Sequence, residues 1–324
     1  MKTTEDKVFF TDGVESILEG GLSSGVVFNY SCKNGQCGVC KTELLAGSIE
    51  EISQQTALTE DEKRNNKILT CCCRPTSNIL IDALDLSQLH NIEIKTLPVR
   101  ISSIDQLSSG IIEVRLRFPP NTGFKFLEGQ FIDVIGPNSV RRSYSIASDA
   151  TDEQILLLIK KVDGGVLSDY WFNVAKMNDL LRIEGPMGTF FLRDTSKKML
   201  FLATGTGIAP IIGMLNKLDK DDGFEQSNDI CLFWGNRNPE NFIWQPDFKK
   251  IKVKYYPVLS KTSKQWNENV GYVQDMALSK VENIKHTHVF ACGSNEMIVA
   301  AKKDFLDAGL PEKYFYSDAF IQSC

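Results

Sequence analysis

The sequence predicts a multi-domain protein in which an α+β part, an antiparallel β-barrel and a parallel-sheet α/β part follow one another. Its 324 residues suit two or three domains of ordinary size. Clustered cysteines mark the first 90 residues, and short strands separated by Pro and Gly turns follow, as is typical of a small barrel. Strands then alternate with helices, which indicates a parallel sheet. These patterns give predicted domains at residues 1–90, 97–193 and 196–324.

Composition and charge exclude several classes of protein. Hydrophobic residues make up 42% of the chain and charged residues 24%, as in ordinary globular proteins. The net charge is −5 and belongs to residues 1–90, so no basic surface favours nucleic acid. No apolar run reaches the ~20 residues of a membrane span, and the acidic start of the chain does not resemble a secretory signal. We expect a cytoplasmic protein without nucleic-acid or membrane partners, whose thiols stay reduced.

Three of the nine cysteines, Cys32, Cys37 and Cys40, share one loop with the spacing C-x4-C-x2-C. Followed by a distant cysteine, this spacing is the plant-type 2Fe–2S pattern. Gly35 and Gly38 lie between them, where the backbone must approach a cluster and its amides can donate to sulfur. A zinc loop is the alternative, but zinc sites more often use C-x2-C pairs, and this loop has one. The loop is therefore predicted to bind a 2Fe–2S cluster.

The run Cys71, Cys72 and Cys73 supplies the candidates for the fourth ligand. If Ile68–Arg74 is extended, Cys71 and Cys73 share a face and Cys72 points away. Residues 1–90 resemble the plant-type ferredoxins, which place their last ligand in an L-x-C context. Leu69-Thr70-Cys71 matches that context. The resemblance therefore implies Cys71 as the ligand, with Cys72 and Cys73 as packing thiols.

The same resemblance implies a β-grasp fold for the first 90 residues, and local patterns supply its elements. Residues Thr59–Glu62 have the pattern of a capping box that opens a short helix. A helix is also expected at Ser16–Ser23, and strands at Lys7–Phe10, Lys41–Leu45 and Asn78–Leu84. A polar stretch, Ser87–Lys95, separates this part from the next.

Ten further strands are expected beyond residue 96. Six belong to the antiparallel barrel: Val99–Ile104, Ile111–Phe118, Gln130–Ile135, Arg141–Ala147, Ile155–Val162 and Leu180–Glu184. Four belong to the parallel sheet, with helices on both of its faces: Met199–Ala203, Ile230–Trp234, Val253–Leu259 and His288–Cys292.

A glycine loop follows the first strand of the parallel sheet. Gly205 and Gly207 fit a tight turn from strand to helix, but Pro210 stands where a third glycine would complete G-x-G-x-x-G. The helix start still offers free amides to a pyrophosphate. Taken alone, the loop is compatible with nucleotide binding or with a structural turn.

Four short motifs together carry a resemblance to the ferredoxin–NADP reductase superfamily. Its flavin motifs R-x-Y-S and G-x-x-S stand at Arg142–Ser145 and Gly165–Ser168. Its nicotinamide motif G-T-G-x-x-P stands at Gly205–Pro210, and its C-G motif at Cys292-Gly293. The resemblance covers residues 97–324 and implies a flavin-binding barrel followed by an NAD(P)H-binding domain.

This resemblance also implies roles for the motif residues. Arg142 would bind a flavin phosphate, Tyr144 would stack on the flavin, and Ser145 would hydrogen-bond near flavin N5. Cys292 would lie near nicotinamide C4, so Ser145 and Cys292 are the catalytic candidates. Two of these residues could instead have purely structural roles, Tyr144 as an ordinary barrel tyrosine and Cys292 as a buried strand thiol. The other cofactor-binding candidates are Ser143, Lys160, Gly165, Val166, Leu167, Ser168, Gly205, Thr206, Gly207, Pro210, Arg237, Gly293 and Phe320.

An iron–sulfur domain ahead of such a reductase resembles the reductase components of bacterial oxygenases. Three segments, Leu181–Pro186, Gly188–Phe191 and Ser317–Phe320, resemble more closely the CDP-6-deoxy-Δ3,4-glucoseen reductases. This implies an NADH-dependent oxidoreductase with FAD and a 2Fe–2S cluster, the choice of NADH and of FAD resting on the resemblance. It would supply electrons to a pyridoxamine-phosphate-dependent CDP-4-keto-6-deoxyglucose 3-dehydrase, in dideoxysugar synthesis for lipopolysaccharide O-antigen. The alternatives are an oxygenase reductase and a redox-sensing flavoprotein without turnover.

Overall fold

The computed structural model describes residues 1–136, 139–193, 198–224, 229–262 and 266–320. These residues form two compact units, Met1–Glu93 and Ile94–Phe320. The first unit is a small α+β fold, and the second contains an antiparallel barrel and a parallel α/β sheet. The predicted fold class is confirmed.

The first unit has two short helices and a small mixed sheet. Its elements are β1 (Lys2–Thr3), α1 (Ile17–Ser23), β2 (Lys41–Ala46), β3 (Ile49–Glu51), α2 (Glu60–Arg64), β4 (Lys67–Leu69), β5 (Cys73–Pro75) and β6 (Leu80–Ile81). The sheet has the order β1–β6–β2–β4, with β1 parallel to β6 and the other neighbours antiparallel. Strands β3 and β5 form a separate antiparallel pair.

Capping boxes begin both helices of the first unit. Ser16 accepts from the Glu19 amide, and Thr59 from the Glu62 amide, while each glutamate bonds back to its cap. Such caps stabilise a helix by about 1 kcal/mol. Both predicted helices are therefore confirmed, each one residue after its cap.

Two strands predicted in the first unit are wrong in extent. Asp6, at φ 63°, turns the chain back so that Val8 makes one isolated bridge with Lys2. Lys7–Phe10 is therefore no strand, because a tight turn precedes it. Of Asn78–Leu84, Leu80 and Ile81 alone form β6, whose pairing with β2 is interrupted by a bulge.

The barrel is a closed antiparallel sheet of six strands. They are β7 (Lys95–Ser108), β8 (Ile111–Arg117), β9 (Phe131–Ile135), β10 (Arg141–Ser145), β11 (Gln154–Lys160) and β12 (Leu180–Met187), in the order β10–β9–β12–β7–β8–β11. An isolated bridge between Ile146 and Leu157 joins the two ends of that order. All six predicted strands are present, and β7 begins inside the stretch predicted to be a linker.

A short helical segment closes the barrel at one end. Helix α3 (Val166–Asp169) continues into a π-helical turn, Tyr170–Val174. Leu167 and Trp171 of this segment are 2% exposed, and they belong to the same buried cluster as the inward-facing residues of the barrel strands. The segment therefore fixes the loop after β11 against the barrel.

The rest of the second unit is a six-stranded parallel sheet with three helices. The elements are β13 (Lys198–Thr204), α4 (Ile208–Lys220), β14 (Ile230–Asn236), β15 (Val253–Leu259), β16 (Asn269–Val270), α5 (Val273–Lys280), β17 (Thr287–Ser294), α6 (Asn295–Asp307) and β18 (Phe315–Phe320). The strand order is β16–β15–β14–β13–β17–β18, and every neighbouring pair is parallel.

Side chains alternate along the strands, so each face of this sheet packs against its own helices. Met199, Phe201 and Ala203 of β13 pack against α4 in one buried cluster. Helices α5 and α6 contact each other and pack on β14, β17 and β18. Among the residues that the structure describes, no helix is long and apolar enough to cross a membrane.

Candidate functional site

Cys32 and Cys37 form one pair of thiols in an irregular loop before β2. The Cys37 amide donates to Cys32 Sγ over 3.4 Å. A hydrogen bond from the Cys37 thiol, aided by the Asn34 and Gln36 amides, outweighs burial and lowers the pKa of Cys32 to about 5. Amides aimed at a sulfur stabilise its thiolate, which is the form that binds iron.

Cys40 and Cys71 form a second pair, with their Sγ atoms 3.3 Å apart. Strands β2 and β4 bring them together, because Lys41 pairs with Leu69. The hydrogen bond between the two thiols lowers the pKa of Cys40 and raises that of Cys71. Two thiols for each of two irons are the donors that a 2Fe–2S cluster requires.

The ligand loop fits tightly around these thiols. Gly35 has φ +80°, and a methyl group on it would lie 2.4 Å from the Gln54 carbonyl oxygen. Glycine is therefore required there by both conformation and space. Within the described part of the chain, no three His, Cys, Asp or Glu side chains converge as ligands of a single ion would. The four thiols are grouped two by two, and this donor set fits a two-iron cluster.

The structure corrects the conformation predicted around Cys71. Ile68–Arg74 is not one extended strand, because the Cys72 amide bonds to the Leu69 carbonyl at 2.9 Å and closes a turn between β4 and β5. Alternation fails in this turn, and Cys72 does not point away: its Sγ lies 3.6 Å from Cys71 Sγ. The choice of Cys71 as the ligand stays a prediction, supported by its contact with Cys40.

Two adjacent arginines on β10 have different partners. Arg141 forms an ion pair with Glu184. Arg142 is half-buried and makes no ion pair with any described residue; its Nη1 donates to the Arg141 carbonyl over 2.7 Å. Its guanidinium is thus the one of the two that a phosphate could engage by a bidentate pair of hydrogen bonds.

Helix α3 lies at the Arg142 end of the barrel. Leu167 packs against Gly136, where an added methyl group would lie 2.0 Å from the leucine. Gly136 follows Ile135, which pairs with Arg141 in the sheet. The structure therefore brings the two predicted flavin motifs together.

Within the second flavin motif, Gly165–Ser168, a side chain fixes the turn and a backbone amide is left to bind a ligand. Ser168 is buried, and its Oγ accepts from the Val162 amide at 2.8 Å, which fixes the turn. Gly165 begins α3, and Val166 is 52% exposed. The Gly165 amide donates to the Val162 carbonyl at 3.2 Å, so the Val166 amide is the one that would face a ligand. Lys160, exposed at the end of β11, would add positive charge.

Tyr144 is anchored from one side. Its hydroxyl accepts from Trp171 Nε1 at 3.1 Å, and the two rings meet edge to face. Burial raises the pKa of Tyr144 to about 12, so the phenol stays neutral. The ring remains half-buried, which leaves it a surface for stacking. The Ser143 hydroxyl, in contrast, donates to Asp133 Oδ1 at 2.6 Å and is held within the sheet.

Ser145 lies at the barrel edge that contacts the parallel sheet's helix α4. It is 6% exposed, and Ile146 follows it. A methyl group on Gly213 of α4 would lie 3.4 Å from the Ile146 carbonyl oxygen and 2.9 Å from that of Ser148. Ser145 is therefore near the nucleotide domain and ~10 Å along the strand from Arg142.

The glycine loop lies directly over the end of β17. Gly205 has φ +55° and open space beside its Cα, while its carbonyl accepts from Trp234 Nε1 at 2.8 Å. A methyl group on Gly207 would lie 2.3 Å from the Cys292 carbonyl oxygen. Thr206, between them, is half-exposed. The open space beside Gly205, called the cradle below, thus lies next to the point where Gly207 packs against the end of β17.

Neighbouring residues hold this cradle in place. Gly293, at φ +143°, approaches Thr204 so closely that a methyl group would lie 2.1 Å from Thr204 Oγ1. That Oγ1 accepts from the Ser294 amide at 3.0 Å. Pro210 is the third residue of α4, where a missing N–H removes no helical hydrogen bond.

Cys292 is buried at the carboxyl end of β17. It is 0% exposed and pairs in register with Asp318 of β18. Burial, with a smaller contribution from the Asp318 charge, raises the pKa of Cys292 well above its usual value. The group is a neutral thiol, which agrees with an aligning role and not with a nucleophile.

Two further residues predicted to contact a cofactor lie at the ends of strands β14 and β18. Arg237 is exposed just after β14, and Phe320 is 38% exposed at the end of β18. Glu240, three residues after Arg237, accepts from Ser109 Oγ at 3.1 Å.

Two buried amides were missed by the sequence reasoning. Asn236 ends β14 and Gln274 lies in the first turn of α5, and both are nearly buried. Asn236 Nδ2 and Gln274 Oε1 have no hydrogen-bond partner among the described residues. The position of Asn236 at the carboxyl end of a parallel strand could have identified it, since ligands bind there. Unpaired buried amides at this edge fit a polar ligand such as a dinucleotide.

Family models match three stretches of the chain. They are a 2Fe-2S iron-sulfur cluster binding domain over residues 3–76, an oxidoreductase FAD-binding domain over residues 98–192 and an oxidoreductase NAD-binding domain over residues 201–303. Fold, site and models define the class: an electron-transfer oxidoreductase that uses FAD, NAD and a 2Fe–2S cluster.

Whole-chain relatives narrow this class. The chain is 38% identical over 324 residues to the CDP-6-deoxy-L-threo-D-glycero-4-hexulose-3-dehydrase reductase of Yersinia pestis. The alignment covers 98% of this chain and 96% of the relative. It is 26% identical to the toluate 1,2-dioxygenase electron transfer component of Pseudomonas putida, over 97% of each chain. A solved ferredoxin reductase in carbazole 1,9a-dioxygenase has the same fold, with a TM-score of 0.70 and 24% identity over 99% of this chain and 97% of that one. The chain belongs to the family of CDP-6-deoxy-hexulose-3-dehydrase reductases.

Proposed function

We propose that this reductase passes electrons from NADH through FAD and its 2Fe–2S cluster to a pyridoxamine-phosphate-dependent CDP-4-keto-6-deoxyglucose 3-dehydrase. The observation that carries the proposal is the end-to-end identity to the Yersinia relative, which exceeds the identity to the dioxygenase component. The partner would bind the sugar, since the second unit's site is built for nucleotides. We place this function in dideoxysugar synthesis in the cytoplasm.

The second unit would collect electrons from the nicotinamide. Arg142 and the Val166 amide would hold the flavin phosphates at the turn that Gly165 begins, and Ser145 would orient the flavin beside the nucleotide domain. When bound, nicotinamide supplies two electrons as hydride, flavin accepts them, and the cluster carries them singly. The cradle of Gly205 and Gly207 would admit the dinucleotide.

The predicted domains divide this work among residues 1–90, 97–193 and 196–324. Cys32, Cys37, Cys40 and Cys71 would hold the cluster in the first. In the last, Cys292 would close the space below the nicotinamide as a neutral thiol, excluding water. The preference for NADH is supported by the family, while Arg237 stays available for either nucleotide.

A coupled assay tests the proposal. Purified reductase, NADH, CDP-4-keto-6-deoxyglucose and a pyridoxamine-phosphate dehydrase are mixed without oxygen, and the 3-deoxy sugar is measured. Sustained product formation supports the proposal, with omission of the reductase as the control. Product at the omission level, together with rapid turnover of an oxygenase component, would favour the oxygenase alternative. Failure to reduce cytochrome c with full cofactor loading would favour the redox-sensing alternative.

A further inference from the structure

A fifth thiol lies against the proposed cluster ligands. Cys72 is 0% exposed, and its Sγ is 3.6 Å from Cys71 Sγ. A methyl group on Gly35 would lie 2.7 Å from Cys72 Sγ, so this sulfur touches the backbone of the loop that carries Cys32 and Cys37. Cys72 therefore lies between the proposed fourth ligand and the ligand loop.

The turn between β4 and β5 accounts for this placement. In a strand, consecutive side chains would point to opposite faces. The bond from the Cys72 amide to the Leu69 carbonyl instead folds the chain, and it brings two consecutive sulfurs into contact. The Cys72 thiol has a weak acceptor in the Gln54 carbonyl, 3.7 Å away. It also meets the Ser53 side chain, so the sulfur would lose these two weak contacts if it turned toward iron.

Cys73 provides an internal comparison, because it is equally buried. It belongs to β5 and pairs with Glu51 of β3. Its sulfur makes no hydrogen-bond-range contact with another cysteine in the described ranges, and burial raises its pKa to about 12. Proximity to the ligand pair therefore distinguishes Cys72 from its neighbour, although both are hidden thiols.

We propose that Cys72 is a reserve ligand of the cluster, able to replace Cys71. This inference rests on the proposed function of the cysteine loop. In the replacement, the iron–sulfur bond to Cys71 breaks and one to Cys72 forms, and the proton of the Cys72 thiol passes to the released Cys71 thiolate. The cluster keeps four thiolates and its electron count.

Alanine variants of the full chain test the proposal, because alanine cannot bind iron. Cys71→Ala, Cys72→Ala and the double variants Cys71→Ala/Cys72→Ala and Cys71→Ala/Cys73→Ala are reconstituted with iron and sulfide. Iron and sulfide per chain, visible absorbance and low-temperature EPR after dithionite reduction are measured. We expect about two irons per chain in both single variants and in the Cys73 double variant, and at least about fivefold less in the Cys72 double variant.

A different pattern would overturn the reserve role. If Cys71→Ala loads no more iron than Cys71→Ala/Cys72→Ala, Cys72 cannot substitute for Cys71. Loading that is lost in Cys71→Ala/Cys73→Ala would equally contradict the reserve role. If the unmodified chain itself binds no two-iron cluster, the proposed function of the loop fails, and this result is distinct from failure of the single variants. Flavin content and NADH bleaching, which depend on the other unit, show in each case that the chain was intact.

Discussion

At the scale of single residues, the neighbours Arg141 and Arg142 separate structure from ligand binding. Arg142→Ala should weaken FAD binding by about 10- to 100-fold, because a charge-assisted bond to phosphate contributes about 1.5–3 kcal/mol. Arg141→Ala removes an exposed ion pair with Glu184 and should change the affinity less than about twofold. Titration of deflavinated protein with FAD gives both values. Equal losses in the two variants would contradict the assignment of the phosphate to Arg142.

The sequence predicted which residues belong to the candidate sites better than it predicted the contacts that those residues make. The motif order indicated Arg142, and the structure supports it by giving Arg141 another partner. Cys71 was chosen partly on an alternation that does not exist, because a turn falls inside the cysteine run. Asn236 and Gln274 were missed: the strand end marks the place of Asn236, but no local pattern shows that either amide is buried without a partner among the described residues. Such properties depend on tertiary packing.

At the scale of elements, helix α4 packs closely against the barrel because Gly213 has no side chain. Gly→Ala in an exposed helix normally stabilises by about 1 kcal/mol. At Gly213 the methyl group would press on the carbonyl oxygens of Ser148 and Ile146, so Gly213→Ala should destabilise by about 1–3 kcal/mol. Gly110 has open space beside it, and Gly110→Ala should stay within about 0.5 kcal/mol of the parent. Thermal melts of the two variants compare them, and a melt of Gly213→Ala at or above the parent temperature would refute the close packing.

The end of α4 adds a pH-dependent contact with the barrel loop. Asp149 is 0% exposed, accepts from the Thr151 amide at 2.7 Å and lies 3.4 Å from Lys220 Nζ. Burial alone would raise the pKa of Asp149, but the Thr151 bonds and the Lys220 charge outweigh it and leave the pKa below its usual 3.8. A carboxyl with a lowered folded pKa stabilises above its unfolded pKa and loses that contribution as pH falls through the folded value.

Asp149→Asn should therefore cost about 1–3 kcal/mol at neutral pH and progressively less below pH 3.8. Denaturant unfolding of parent and variant at several pH values measures this difference. Asp152→Asn alters a more exposed partner of Lys220 and should show a smaller effect. A stability difference that is constant from pH 7 to about 3 would mean that the Asp149 charge is not what holds the loop.

The elements themselves were predictable where local chemistry is complete. Ser16–Glu19 and Thr59–Glu62 contain every group of a capping box, so both helix starts follow from the sequence. Strands β8 and β12 also follow, because their buried apolar residues recur at every second position. Lys7–Phe10 fails because a turn at Asp6 limits its pairing to one bridge, and no alternation pattern contains that information.

At the scale of the whole molecule, charge is divided unequally between the iron–sulfur part and the reductase part. Residues 1–90 carry the entire net charge of −5, and the remainder is neutral. If the cluster-bearing part delivers electrons to a separate protein, complementary docking requires a basic surface on that partner. Encounter should then be steered by a field that salt screens over about 10 Å at 0.1 M.

Electron delivery to the dehydrase should therefore slow with ionic strength, while cluster reduction inside this chain should not. We expect the second-order rate to fall roughly tenfold between about 0.05 and 0.5 M salt. Anaerobic stopped-flow mixing of reduced protein with the dehydrase gives that rate, and cluster bleaching by saturating NADH without partner serves as the control. A parallel decline of both rates would assign the salt effect to cofactor sites within the chain. A partner rate that stays flat would mean that docking depends on apolar contacts, because no charge-steered encounter of this kind escapes screening.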